Sequence, residues 1–259
     1  MKSLIGLLLT LSMALPACSA QDASTATTEP VANAQTTEPT GTTPASNPET
    51  SPVVAQVQEP APMPAVTAPP VRSDIVAGKH YRVLTPAQPR ISSEKIEVAE
   101  VFMYSCPHCK DFEPFVNSYL QSKPSYVNFV RIPASFNKVA RLHSRAFYMA
   151  DTLGILEDIH MDFFEEYHTK RNQLASENAI IDFFVKQGVA RDDVVNAYNS
   201  FAVDTKVRQA DVLGRRYGVR SVPSLVINGK YVTSGQMAGT MSHLRDVLDY
   251  LTALEAAQL

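Results

Sequence analysis

Three features of the 259-residue chain predict an α/β domain carried behind a long lead that stays out of any core. A mainly apolar run, Ile96–Tyr104, gives way within two residues to an amphipathic helical pattern opened by Pro107. A second such run, Tyr126–Ile132, precedes a stretch of helical periodicity reaching almost to Val222. Last, Ser224–Ile227 and a strand-like run from Tyr231 flank Asn228-Gly229, the signature of a tight hairpin. Strands interleaved with helices in this way make a sheet covered by helices.

The lead is set apart by composition. All aromatic residues, 10 Tyr and 11 Phe, lie at or after Tyr81, whereas Ser19–Arg72 is rich in Pro, Thr and Ala. A stretch without aromatic side chains cannot bury enough apolar surface to offset its ordering entropy. At its start, Met1-Lys2 is followed by an apolar run from Leu4 to Leu15. That run is too short to span a bilayer, which takes about 20 residues, but it suits a signal-peptide core. Leu15-Pro16-Ala17-Cys18 resembles the lipobox of bacterial lipoproteins, in which the cysteine carries the lipid. The expected organisation is a signal peptide over 1–17, lipidation at Cys18 and a disordered tether over 18–73. A folded domain over 74–259 follows. Formal net charge is −3, and beyond Lys79 basic and acidic residues nearly balance, so nothing marks a nucleic-acid partner.

Within the domain only Cys106 and Cys109 remain. A bridge across so short a loop stabilises by roughly 2 kcal/mol, against about 4–5 for a long loop, so the pair is poorly placed as a staple. Its purpose is chemical. Pro107 stands at the first helical position, where a missing N–H costs nothing, and Phe112, Phe115, Val116, Tyr119 and Leu120 form one apolar face. Pro114 is expected to kink that helix or tighten its first turns. A thiol at a helix amino terminus faces unpaired N–H groups and the positive end of the dipole, which favour thiolate. Cys106 is therefore the expected exposed attacker and Cys109 its inward resolving partner, with His108 between them. No second Cys-x-x-Cys completes a structural zinc site, and Lys110 stands where haem attachment needs histidine.

The remaining elements follow from the same signals. Helices are expected over Val139–Leu153, Leu156–Tyr167, Glu177–Gln187, Asp192–Ser200, Ala202–Tyr217 and about Met241–Ala257. Gly154, Gly188 and Gly218 act as stops. His143, His160 and His168 lack metal spacing and are taken as surface or packing residues. Arg215, Arg216 and Arg220 are taken as solvated charges, with peptide steering as the alternative.

Strand, Cys106-Pro107-His108-Cys109 and helix together resemble the redox site of thioredoxin-like proteins, and the Pro-His pair resembles the DsbA family of periplasmic thiol oxidases. Gly78–Leu84 is similar to that family's first strand, and Val222-Pro223 to its proline segment. The resemblance implies a thioredoxin-like fold with an inserted all-helical domain, here about 138–217. It implies a cis Pro223 beside Cys106 with the Val222 backbone gripping an extended peptide. It also implies that Glu100 is a buried acid shuttling the Cys109 proton. The basic partner of that acid is left unassigned, with Lys123 near the expected region. That family is itself a standing example of a depressed cysteine pKa, so helix geometry and resemblance coincide here.

The expected activity is protein thiol:disulfide oxidation in newly exported Cys-containing proteins. It would need no cofactor beyond the Cys106–Cys109 disulfide and no metal. A DsbB-like membrane quinone reductase would recharge the pair, and the lipid on Cys18 would hold the protein to a membrane facing the periplasm. The alternatives are a disulfide reductase or isomerase, or a metal-binding lipoprotein using the same thiols.

Overall fold

The computed structural model describes residues 66–92 and 94–259. The expected signal peptide, Cys18 and most of the expected tether lie outside the described residues. Five strands form one mixed sheet: β1 Arg82–Val83, β2 Ile96–Phe102, β3 Val127–Pro133, β4 Ser224–Ile227 and β5 Tyr231–Thr233, in the order β1-β5-β4-β2-β3. β2 and β3 run parallel, joined by helix α1, Pro107–Ser122. β4 pairs antiparallel with both β2 and β5, and β1 pairs antiparallel with β5. Between β3 and β4 lie α2 Lys138–Thr152, α3 Leu156–His168, α4 Glu177–Lys186, α5 Arg191–Tyr198 and α6 Phe201–Arg216. The short α7, Gly235–Ala238, and α8, Met241–Ala256, follow β5. No helix among the described residues is long and apolar enough to cross a membrane.

Local chemistry sets the boundaries. The side chains of Asn137, Ser176, Ser200 and Thr240 accept from the N–H three residues on and so start α2, α4, α6 and α8. In the hairpin, Asn228 and Gly229 both have positive φ, 50° and 65°. Their sequence is the one that tolerates this geometry. At Gly229 a Cβ would also stand 2.2 Å from the Gln88 carbonyl oxygen.

Two boundaries differ from expectation. The strand expected over Gly78–Leu84 shrinks to Arg82–Val83, with an isolated bridge between Ala77 and Tyr81. The backbone before it is engaged in a turn: His80 N–H donates to the Val76 carbonyl, and His80 Nδ1 accepts from Val76 N–H. β2 ends at Phe102 because Cys106 N–H folds back onto the Met103 carbonyl at 3.1 Å. Pro114 deprives the Lys110 carbonyl of its helical donor, yet α1 runs unbroken.

The sheet separates two cores. One gathers Val101, Phe102, Tyr104 and Cys109 with the inserted helices, Phe163, Phe164 and Phe184 among them. The other packs Ile96, Val98, Leu225 and Ile227 against Phe112, Val116 and Tyr119 of α1 and against Leu244, Val247, Leu248 and Leu251 of α8. Each fully buried large apolar side chain contributes about 1.5–3 kcal/mol. Helix α1 feeds both cores, and its first turn is pinned accordingly. The described arm before β1 closes onto α8: Ile75 enters the second core, Arg72 lies 3.7 Å from Asp246, and the His80 and His243 rings meet edge-on at 4.7 Å.

Candidate active site

Cys106 is the N-cap residue of α1 and is partly exposed; Cys109, one turn on, is fully buried. Both stand as free thiols. Their ionisation is driven apart. The Cys106 pKa falls to about 6, chiefly through the hydrogen bond from the Cys109 thiol and against the cost of burial. The N–H groups of Cys109 and His108 and the His108 imidazole add to the fall. Cys109 is pushed well up by that same hydrogen bond and by burial. At pH 7 the accessible sulfur is mostly thiolate while its partner keeps its proton. Sequence reasoning put the helix terminus first among the causes. In the structure the leading cause is the second thiol, with the helix amides behind it. Pro107 and His108 are both exposed.

The Val222–Pro223 peptide is cis, and Cys106 Sγ lies 3.6 Å from the Val222 carbonyl oxygen. A groove of about 480 Å³ opens alongside, lined by His108 and Phe112 on one wall and Val222, Pro223, Gly235 and Met241 on the other. Cys106, Cys109, Val222 and Pro223 thus converge, although more than a hundred residues separate the cysteines from the proline. Arg215 and Arg216 line other clefts, Arg216 beside Arg90 and Arg208, so neither belongs to this groove.

Beneath the pair lies a buried polar network. Glu100 on β2 is fully buried, and neither carboxyl oxygen has a hydrogen-bond partner. Burial and the nearby Glu113 push its pKa up to about 8 against the pull of Arg131. Arg131 is its register partner on β3, with Nε 3.6 Å from Glu100 Oε2. The guanidinium is committed elsewhere: Nη2 donates to Glu113 Oε2 at 3.1 Å, and Nη1 lies 3.5 Å from the exposed Glu157. His160 Nε2 lies 3.1 Å from Glu113 Oε1, and its Nδ1 lies 2.8 Å from the Tyr104 hydroxyl.

Charge in this network can be assigned from the contacts. Burial holds His160 below its usual range although Glu113 opposes this, so the ring is neutral. It then donates Nε2–H to Glu113 and accepts the Tyr104 O–H at Nδ1. The Tyr104 phenol stays protonated, held well above its usual range by burial. Burial works against the Glu113 charge, but the His160 hydrogen bond and the Arg131 pair outweigh it and hold Glu113 below the usual carboxylate range. With the ring neutral, the positive charge facing Glu113 is that of Arg131.

Arg131, Glu113, Tyr104 and His160 were not singled out in the sequence as members of the site, and Lys123 does not join it. The Lys123 ammonium instead donates to the Val127 carbonyl at 2.6 Å. Of the three insertion histidines, expected at the surface or in packing, His143 and His160 are buried among aromatic side chains, and His168 Nε2 lies 2.8 Å from the Tyr104 carbonyl. The signal that could have found Arg131 is a lone charge inside an apolar strand, one helix after a strand that bears the acids Glu97 and Glu100. Among the described residues no group of three or more His, Cys, Asp or Glu side chains is placed to hold a metal ion.

Comparison with known proteins bears on the family and the fold. The family description "DSBA-like thioredoxin domain" matches residues 129–244. The thiol:disulfide interchange protein DsbA of Pseudomonas syringae pv. tomato is 40% identical over 183 residues, 71% of this chain and 86% of that protein. Its counterpart in Pseudomonas aeruginosa is 36% identical over 184 residues, 71% of this chain and 87% of that protein. Among solved structures, that of Pseudomonas aeruginosa DsbA superposes with a TM-score of 0.68 at 36% identity, over 71% of this chain and 96% of that one. DsbA from Xylella fastidiosa gives 0.65 at 28% identity, over 71% of this chain and 98% of that one. A Cys-Pro-His-Cys helix cap, a cis proline against the first sulfur, helices set into a thioredoxin-like sheet and relatives matched over most of their length lead to one conclusion: the chain belongs to the DsbA family of thiol:disulfide interchange proteins.

Proposed function

We propose that this protein is an exported dithiol oxidase that introduces disulfides into newly exported Cys-containing proteins. Cys106 is the sulfur that substrate attacks. The observation that carries the reading is the opposed ionisation of the two sulfurs, one depressed to about 6 and partly exposed, the other raised and buried. In the oxidised form a substrate thiolate attacks Cys106 Sγ. The Cys106–Cys109 bond breaks, its electron pair leaves on Cys109, and Glu100 supplies the proton that Cys109 takes up. A second substrate thiolate then attacks the substrate sulfur of the mixed disulfide. Cys106 departs as a thiolate that needs no proton at neutral pH. Two electrons have moved from the substrate dithiol to the Cys106–Cys109 pair, and a DsbB-like membrane quinone reductase removes them.

Pro107 opens α1 without an N–H to satisfy, and the His108 imidazole favours the charged sulfur. The Val222 carbonyl, already within reach of Cys106, and Pro223 present the edge on which an extended peptide would pair. Residues 1–17 serve as the signal peptide and 18–73 as a tether from lipidated Cys18, which holds the domain of residues 74–259, with its helical insertion at about 138–217, in the periplasm. The near-balance of charge beyond Lys79 argues against nucleic acid.

Equilibration of the pair in glutathione buffers tests the direction of electron flow. A potential above about −180 mV marks an oxidant. It should be accompanied by a Cys106 thiolate absorbance that titrates near pH 6 in the reduced protein. A potential near or below about −250 mV would sink the oxidase reading and promote a reductase.

A further inference from the structure

Two buried carboxyls compete for one buried cation beneath the redox pair. Glu100 and Glu113 have side chains 0% and 1% exposed, and Arg131 between them is 7% exposed. A site of low dielectric cannot keep two carboxylates ionised against a single positive charge, so one of them must hold a proton. Strand register alone would favour Glu100 as the ionised member, since it is the direct cross-strand neighbour of Arg131. The contacts run the other way. Glu113 accepts from Arg131 and lies within hydrogen-bond reach of His160, while Glu100 accepts from nothing and faces Arg131 Nε at 3.6 Å.

We propose that His160 is a positioning residue that decides which carboxyl keeps the charge. By donating to Glu113 it holds Glu113 on Arg131 and leaves Glu100 free to carry the proton exchanged with Cys109. The Tyr104 hydroxyl enforces this from behind: donating to Nδ1 at 2.8 Å, it fixes the tautomer whose Nε2 bears the hydrogen. The groups facing Glu100 are accounted for on each element packed around it: Arg131 from β3, Cys109 and Glu113 from α1, and, through Arg131 and Glu113, Glu157 and His160 from α3. A histidine in the helical insertion thereby reaches the redox chemistry without touching either sulfur. This inference rests on the reading of Glu100 as the proton partner of Cys109.

The test follows the Glu100 side-chain carboxyl carbon by 13C NMR across pH in the reduced full chain, assigned by its loss in Glu100→Gln. In parallel, the alkaline limb of the pH–rate profile for dithiol oxidation is measured. His160→Leu removes the donor to Glu113, so Arg131 should turn toward Glu100. The Glu100 midpoint and the alkaline limb should then both move down, by about tenfold in proton affinity. Tyr104→Phe should move them the same way by less, and it carries the test alone if His160→Leu does not fold. His160→Gln, which keeps an N–H donor, should leave both close to those of the unsubstituted protein. An unmoved or rising Glu100 midpoint in folded His160→Leu or Tyr104→Phe would overturn the proposal. If Glu100→Gln leaves the alkaline limb in place, the reading of Glu100 fails. The midpoint shifts still decide the role of His160 by themselves.

Discussion

Glu97 and Glu100 sit three residues apart on β2, both buried, in surroundings that share almost nothing. At the Glu97 end, Oε2 accepts the N–H groups of Ile91 and Ser92 at 2.8 and 2.6 Å and ties the preceding loop to the strand. At the Glu100 end no hydrogen bond is made at all. Burial raises both, yet at Glu97 the two backbone donors pull the other way, whereas at Glu100 nothing but Arg131 does. The same side chain is a hydrogen-bonded acceptor in one place and an acid without donors in the other; deeper burial, the neighbouring Glu113 and the missing hydrogen bonds together separate them.

The contrast has measurable consequences, largest first. Glu97→Leu strands two partly buried N–H groups and should cost about 2–3 kcal/mol in denaturant unfolding, with turnover per folded molecule unchanged. Loss of turnover without loss of stability would erase the distinction. Glu100→Gln has the opposite sign. It removes a carboxyl that folding forces to stay protonated and should stabilise by about 1–2 kcal/mol at pH 7 while slowing dithiol oxidation.

The pH dependence sharpens this. Folded Glu100 holds its proton to about pH 8, the unfolded chain only to about 4.3. The folded state therefore binds the extra proton across that window. The Glu100 contribution is fully favourable below it and is lost as pH rises through it, so stability falls toward pH 8. Glu100→Gln should flatten that slope. Glu97→Gln is the smallest change, under about 1 kcal/mol, because an amide oxygen can accept the same two N–H groups.

The division between what sequence reveals and what it hides follows the range of the interactions. Helix limits fell within a residue or two because caps such as Asn137, Ser176 and Ser200 and a stop such as Gly188 act on their own neighbours. The hairpin was legible for the same reason, as was the Cys106–Cys109 cap of α1, since strand, cysteine and proline are contiguous. Resemblance supplied Pro223 and Glu100. The rest of the network was not legible. Arg131 meets Glu100 only through a parallel register fixed by the length of the α1 crossover. His160 meets Glu113 across 47 residues of sequence by the docking of α3 on α1. Periodicity marks the apolar face of a strand or helix and is silent about what a polar side chain there touches. The resemblance overextended β1, because the turn at Val76–His80 is held by a histidine ring that no propensity registers.

The clasp between the arm before β1 and α8 bears on how the domain meets mechanical load. Arg72 reaches Asp246, His80 meets His243 edge-on, and Ile75 is seated in the core that α8 completes. Tension entering along the chain ahead of β1 is passed first to the last helix. Because Met241 of α8 lines the groove beside Cys106, and Leu244, Val247, Leu248 and Leu251 pack with Phe112 and Val116 of α1, a tug from that side would be felt at the redox site through the last helix.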